Sequence, residues 1–277
     1  MSVPLARFAE LVSREQFGLA EACLLVAQDA YPDLEVGTHL RELDAIAAGV
    51  ERHLGGERSV EEKIAALNRH LYAELGFRGN VDEYYDPRNS YLNDVLARRT
   101  GIPITLSVVY LEVARRIGLS MQGVSFPGHF LVKLRARRGQ LVLDPFARGE
   151  PQSEDDLRER LEQVLPRPLD PDAPIDPYLE PASPRQIVAR VLRNLKAIHV
   201  AADEPQRALD VLNRLLLVSP EATAELRDRG LVYARLECFR PALADLQSYL
   251  RRVPDAPDVA SIHEKIVELR GLVSRLQ

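Results

Sequence analysis

Phe126-Pro-Gly-His129, followed by Phe130-Leu-Val-Lys-Leu134, a basic turn and Leu141-Val-Leu-Asp144-Pro145, is the stretch that decides the reading of this chain. Two short apolar runs on either side of Arg135-Ala-Arg-Arg138 predict a β-hairpin. Centred between Ala136 and Arg137, it pairs residues whose numbers add to 273, and 129 and 144 are such a pair. Directly opposed side chains in an antiparallel pair share a face with Cβ atoms about 4.5–5.5 Å apart, so Asp144 is expected to hold the tautomer of His129. That is two of the three members of a nucleophile–His–Asp triad. No cysteine lies near the segment to supply the third.

The 277 residues, 46% hydrophobic and 28% charged, suffice for a full core and suggest two domains. A net charge of −5, no Trp and no long Lys/Arg block give no reason to expect nucleic acid. The Arg135–Arg138 patch is a solvated hairpin tip. Neither an export signal nor an apolar run of the ~18 residues a membrane span needs is present, so a cytoplasmic protein without membrane insertion is expected. Cys23 and Cys238 lie 215 positions apart in apolar helical contexts and support neither a disulfide framework nor a metal site. The other histidines, His39, His53, His70, His199 and His263, lie singly on helical segments without ligand spacing, and no metal or cofactor is expected.

Apolar periodicity predicts a helical segment from Leu5 to Ala30, closed by Pro32, and a second through Leu40, Leu43, Ile46, Ala47, Val50 and Leu54 that stops at Gly55-Gly56. Ser59 with Glu62 is a capping box for a third, with core face Val60, Ile64, Leu67, Leu71 and Leu75. After an irregular stretch from Phe77 to Arg88, Asn89 or Ser90 caps a short helix bearing Leu92, Val95 and Leu96. Pro103 suits the first turn of the next, which buries Leu106, Val109, Tyr110, Val113 and Ile117 and stops at Gly118. A strand around Met121 to Val124 precedes the hairpin, and Ser153 with Asp156 opens a helix to Leu165. Seven prolines between Pro166 and Pro184 then deny helix and ladder bonds, so this stretch is read as an extended linker. Beyond it Ala208-Leu209-x-x-Leu212 recurs as Ala242-Leu243-x-x-Leu246 and Pro220 as Pro254, each offset by 34 residues. Tyr233, Ala234 and Phe239 complete a tetratricopeptide (TPR) pattern, with Lys196 standing where Gly230 recurs.

Asp86-Pro-Arg-Asn-Ser-Tyr-Leu-Asn93, Gly101-Ile-Pro-Ile-Thr-Leu-Ser107, Phe126-Pro-Gly-His129 and Leu143-Asp-Pro-Phe146, in that order and ahead of repeat helices, resemble the bacterial SirB family of transglutaminase-like/TPR proteins. The resemblance spans nearly the whole chain. It implies an α+β, papain-like/transglutaminase-like core in which a Cys opens a helix while His and Asp lie on successive strands. By that analogy His129 is the base and Asp144 its orienter. The domain reading is then a transglutaminase-like domain over 1–165 (helical to 100, site-bearing over 101–146), a linker over 166–184, and an all-α TPR-like module over 185–277.

The chain departs from this pattern at the helix that should begin with the cysteine, where it carries Pro103, Ile104 and Thr105. A helix dipole that stabilises a thiolate cannot ionise a hydroxyl, so Thr105 as nucleophile would need His129 as a true general base. Ser107 points about 200° away around the helix. Asn89, Tyr91, Asn93 and Ser107 are the candidate lining of a binding cleft. Each candidate has a structural reading beside the functional one: the His–Asp pair closing a hairpin mouth, Thr105 bonding its own backbone, the asparagines capping. Two functions follow. One is a non-enzymatic or vestigial domain that acts with its repeats as a protein-interaction or regulatory module, binding a protein or peptide partner. The other is an acyltransferase or amide hydrolase with Thr105 as nucleophile, His129 as base and Asp144 as orienter.

Overall fold

The computed structural model describes residues 3–56, 58–136, 139–167, 169–170 and 172–275. The chain forms two compact units, one of residues 15–191 and one of residues 1–14 with 192–277. The single helical segment expected from Leu5 to Ala30 is two helices, α1 (Val3–Ser13) and α2 (Leu19–Ala27), and they belong to different units. Arg14-Glu15-Gln16 interrupts the apolar stripe, and Gly18 is extended (φ −70°, ψ 120°) at the start of α2.

In the unit of residues 15–191, α3 (Val36–Glu51) is followed by α4 (Val60–Asn68). The capping box that opens α4 is complete: Ser59 Oγ accepts from Glu62 N at 3.2 Å, and Glu62 Oε2 from Ser59 N at 2.9 Å. Directly after it, Arg69–Glu74 winds as a π-helix. The short β1 (Arg78–Gly79) pairs in parallel with β2 (Thr100–Gly101). Between them, the cap of α5 (Leu92–Arg98) is neither Asn89 nor Ser90. Tyr91 stands at the N-cap of α5 and makes no side-chain capping bond to it, while Asp86 caps the 3-10 turn Pro87–Asn89. Pro103 opens α6 (Pro103–Arg116) as expected, and Ile104, Leu106, Val108, Val109, Tyr110, Val113 and Ala114 are all buried. A helix apolar on nearly every side belongs at the centre of its unit.

The sheet has strand order β6-β5-β4-β3-β7, antiparallel throughout, from β3 (Gln122–Val124), β4 (Leu131–Ala136), β5 (Gly139–Asp144), β6 (Glu150–Pro151) and β7 (Pro181–Ala182). The hairpin register differs from the expected one. Val132 pairs with Leu143 and Ala136 with Gly139, so paired numbers add to 275. Gly139, at φ 129°, pairs with Ala136, and residues 137–138, where the hairpin centre was expected to begin, lie outside the described residues. Shifting the sum by two keeps every side chain on its face, because the strand period is two.

The described residues of the 166–184 stretch do not all run free over the surface as an extended linker. Ile175 and Leu179 are buried with Val124, Phe126, Leu131, Val142, Leu157 and Leu161 of the sheet and α7 (Glu154–Val164), and β7 adds an edge strand to β3. Prolines exclude a helix interior, yet an edge strand tolerates them.

The second unit carries the repeats. The division between units falls inside α8 (Pro184–Ala201), and α9 (Pro205–Val218), α10 (Thr223–Arg235), α11 (Phe239–Arg252) and α12 (Val259–Arg275) follow. Helices α9 and α11 start 34 residues apart, and the recurring Ala208, Ala242, Leu212 and Leu246 are all fully buried. At Gly230 an added Cβ would lie 2.8 Å from Leu246 Cδ2, so α10 and α11 approach as only a glycine permits. Lys196 of α8, at the matching place, bonds Asp228 instead at 2.8 Å. Helix α1 packs on α9, with the fully buried Arg214 guanidinium 4.9 Å from the Phe8 ring centroid.

Candidate functional site

The turn Phe126-Pro-Gly-His129 is built by its own sequence. His129 N donates to Phe126 O at 3.1 Å, and Gly128 stands at φ 68° after Pro127, the type II arrangement that requires a glycine third. A Cβ on Gly128 would also lie 2.8 Å from Val164 Cγ1. The turn is clamped from outside by Arg190, which bonds Ser125 Oγ and His129 O, both at 3.1 Å.

His129 and Asp144 come together. Nε2 lies 2.9 Å from Oδ1 and 3.0 Å from Oδ2, with Asp144 ending β5 and His129 just ahead of β4. They meet diagonally rather than as directly opposed residues, within reach of a long side chain on the shared face. Among the described residues, no hydrogen bond reaches His129 Nδ1. The carboxylate also accepts from Phe146 N at 3.0 Å and Ala147 N at 3.3 Å, and from Arg160 at 2.9 Å. Burial pushes the Asp144 carboxyl up, but the bonds from His129, Arg160 and Ala147 N outweigh it and hold it below the usual carboxylate range.

Aromatic rings complete the setting. Phe146 stands edge to face with His129 at 6.0 Å, and it fits only because a Cβ at Gly79, 2.4 Å from its ring, is missing. Tyr72 donates to Pro145 O at 2.8 Å and stacks on Tyr110. Arg160, Arg190, Tyr72 and Phe146 were not singled out from the sequence. Phe146 alone had a signal, as the end of the Leu143–Phe146 motif.

The remaining candidates are placed differently. Thr105 is buried, and its Oγ1 donates to Asn89 O at 2.6 Å while accepting from Ile102 N at 3.1 Å. A hydroxyl proton already bonded to a carbonyl is not offered to an imidazole. Ser107, also buried, reaches Phe130 O at 3.5 Å. Asn89 organises the preceding loop: Nδ2 donates to Glu83 O at 2.7 Å and Oδ1 accepts from Asn80 at 3.1 Å. Tyr91 packs edge to face on Tyr31, and Asn93 lines a cleft with Tyr31, Leu34 and His39. Burial and the nearby Glu112 carboxylate push the Cys23 thiol up to about 12, which leaves it protonated and unreactive. The structure also joins histidines that the sequence left apart: His53 and His70 both meet Glu74.

The sequence model of the transglutaminase-like superfamily matches residues 38–193, and that of the tetratricopeptide repeat matches residues 195–266. Fold and site thus define a transglutaminase-like domain followed by TPR helices. A UPF0162 protein of Xylella fastidiosa (strain Temecula1) is 42% identical over 273 residues, 96% of this chain and 95% of that protein. One of Pseudomonas aeruginosa is 33% identical over 96% of each chain, and Protein SirB1 of Salmonella typhimurium is 29% identical over 81% of this chain and 82% of its own. The chain belongs to this SirB/UPF0162 family. A crystal structure of menin, described as revealing the binding site for the Mixed Lineage Leukemia protein, has 12% identity and a TM-score of 0.39, covering 88% of this chain and 68% of menin. So slight a likeness carries no argument.

Proposed function

We propose that the protein is a non-enzymatic, vestigial transglutaminase-like domain coupled to a repeat module that binds a protein or peptide partner, acting as a regulatory component of a reducing cytoplasm. The observation that carries this reading is the start of α6. Where catalytic relatives of the papain-like class hold a cysteine, Thr105 spends its hydroxyl on the Asn89 carbonyl. Free Cys23 and Cys238 agree with a reducing compartment, and no described helix is long and apolar enough to cross a membrane.

For the partner, α11 and α12 enclose a groove lined by Leu250, Val259, Ile266 and Val267, with Arg251 and Arg270 among its polar residues. Val267 is 66% exposed. An apolar strip with arginines suits an amphipathic segment carrying acidic flanks. In a quantitative pull-down from the native cell with the full chain, Val267→Glu and Arg270→Glu are expected to lose a defined partner that the wild type retains. If both variants keep every partner, the repeats are not the binding surface.

The competing acyl-transfer reading has the His129–Asp144 pair in its favour. A fluorophosphonate that labels Thr105 in the wild type and not in His129→Ala would establish it. We expect no label.

A further inference from the structure

The π-helical turn Arg69–Glu74 gathers side chains that the proposed function leaves unused. His70 Nδ1 lies 2.8 Å from Glu74 Oε2, and His53, just past the end of α3, places Nε2 2.9 Å from the same oxygen. The three ligand atoms all fall within 4.8 Å of one another. His70 is buried with its ring against Gly49 of α3, where an added Cβ would stand 2.1 Å from Nε2. That glycine gives the ring its room, and Nδ1 is the nitrogen turned toward the cluster. The Glu74 carboxylate is steadied from its other side by Arg69 Nε, 3.0 Å from Oε1. The side chains of His53 and Glu74 are 25% and 33% exposed, so water reaches the outer side. π-helical turns are rare and are frequently found at functional sites.

We propose that His53 Nε2, His70 Nδ1 and Glu74 Oε2 bind one divalent transition-metal ion, zinc by donor type, with water in the fourth position. Two imidazole nitrogens and one carboxylate oxygen are borderline donors, which suit zinc and its first-row neighbours and not calcium or magnesium. Bonds of about 2.0–2.2 Å in a tetrahedron set neighbouring donors about 3.3 Å apart, so each N···O gap opens by about 0.5 Å as the ion enters. Each imidazole then presents its bare nitrogen to the ion and carries its proton on the far one. The ion would fasten the C-terminal end of α3 to the π turn. The site does not depend on the proposed function of the cleft or the repeats.

The test is titration of the full-length, untagged, metal-free protein with cobalt(II) and then zinc(II). Expected are one cobalt per chain with the intense visible bands of a tetrahedral site, displacement by zinc, and a loss of affinity of about a hundredfold in His53→Gln and in Glu74→Gln. His39→Gln should bind as the wild type does. Histidine NMR of the wild type covers the case in which a variant fails to fold: zinc should shift His70 Nδ1 and His53 Nε2. No binding tighter than millimolar, affinity unchanged within twofold in both variants, or shifts confined to the other histidines would overturn the site.

Discussion

At Asp144, one carboxylate serves a strand end, a 3-10 turn, an imidazole and a guanidinium. Its depressed pKa makes it a stabilising group at neutral pH. The sign is that of any lowered carboxyl: the contribution is full above the unfolded value of about 3.9 and vanishes as the pH falls through the lower folded value. Asp144→Asn keeps the size of the side chain but leaves His129 and Arg160 without their anion. Urea unfolding at pH 7 should show a loss of about 2–3 kcal/mol, and the gap to the wild type should narrow as the pH drops below 4. Thr105 makes a different prediction. As a pin between α6 and the Asn89 carbonyl, it should cost about 1–3 kcal/mol when replaced by Val, and much less when replaced by Ser, in the same assay. The nearness of His129 to Asp144 was legible in the sequence because it needs only the right face, and a register error of two leaves faces unchanged. The attachment of Thr105 was not legible, because its partner is a main-chain carbonyl sixteen residues earlier.

Among the elements, the turn before β4 and the π turn after α4 are the two whose local backbone sets chemistry. Gly128→Ala places a Cβ at φ 68° and against Val164. It should lower stability by more than about 1 kcal/mol in thermal or urea unfolding and broaden the His129 ring resonances as the turn relaxes. In the π turn, bonds from His70 and then His53 hold the Glu74 carboxyl at about 2. A carbon-detected titration of the metal-free protein should find that value, and His70→Gln should return it toward the ordinary glutamate range. The capping boxes at Ser59 and Ser153, the Pro103 start and the Gly118 stop were all readable, because each is a contest among residues three or four apart. The π turn was not, since apolar positions in Arg69–Glu74 still match helical spacing and nothing in them reports the extra residue per turn.

For the molecule as a whole, the informative departure is the first helix. Although α1 belongs with the repeats at the far end of the chain, its periodicity looks continuous with α2. Phe8 is fully buried under Arg214, so Phe8→Ala should remove about 3–5 kcal/mol from the repeat unit, seen as lost hydrogen-exchange protection in α9 amides. Retained protection would mean that α1 is an ornament. Sequence by itself determined the starts of α4, α6 and α7, the β4–β5 hairpin, the face on which His129 and Asp144 meet, and the 34-residue repeat, because periodicity, caps and turns act between near neighbours. Only the tertiary structure decided that α1 joins α9, that Ile175 and Leu179 fold a proline-rich stretch onto the sheet, and that Arg160, Arg190, His53 and His70 find their partners. Burial of apolar surface has no direction, and a contact between residues distant in the chain leaves no spacing to read.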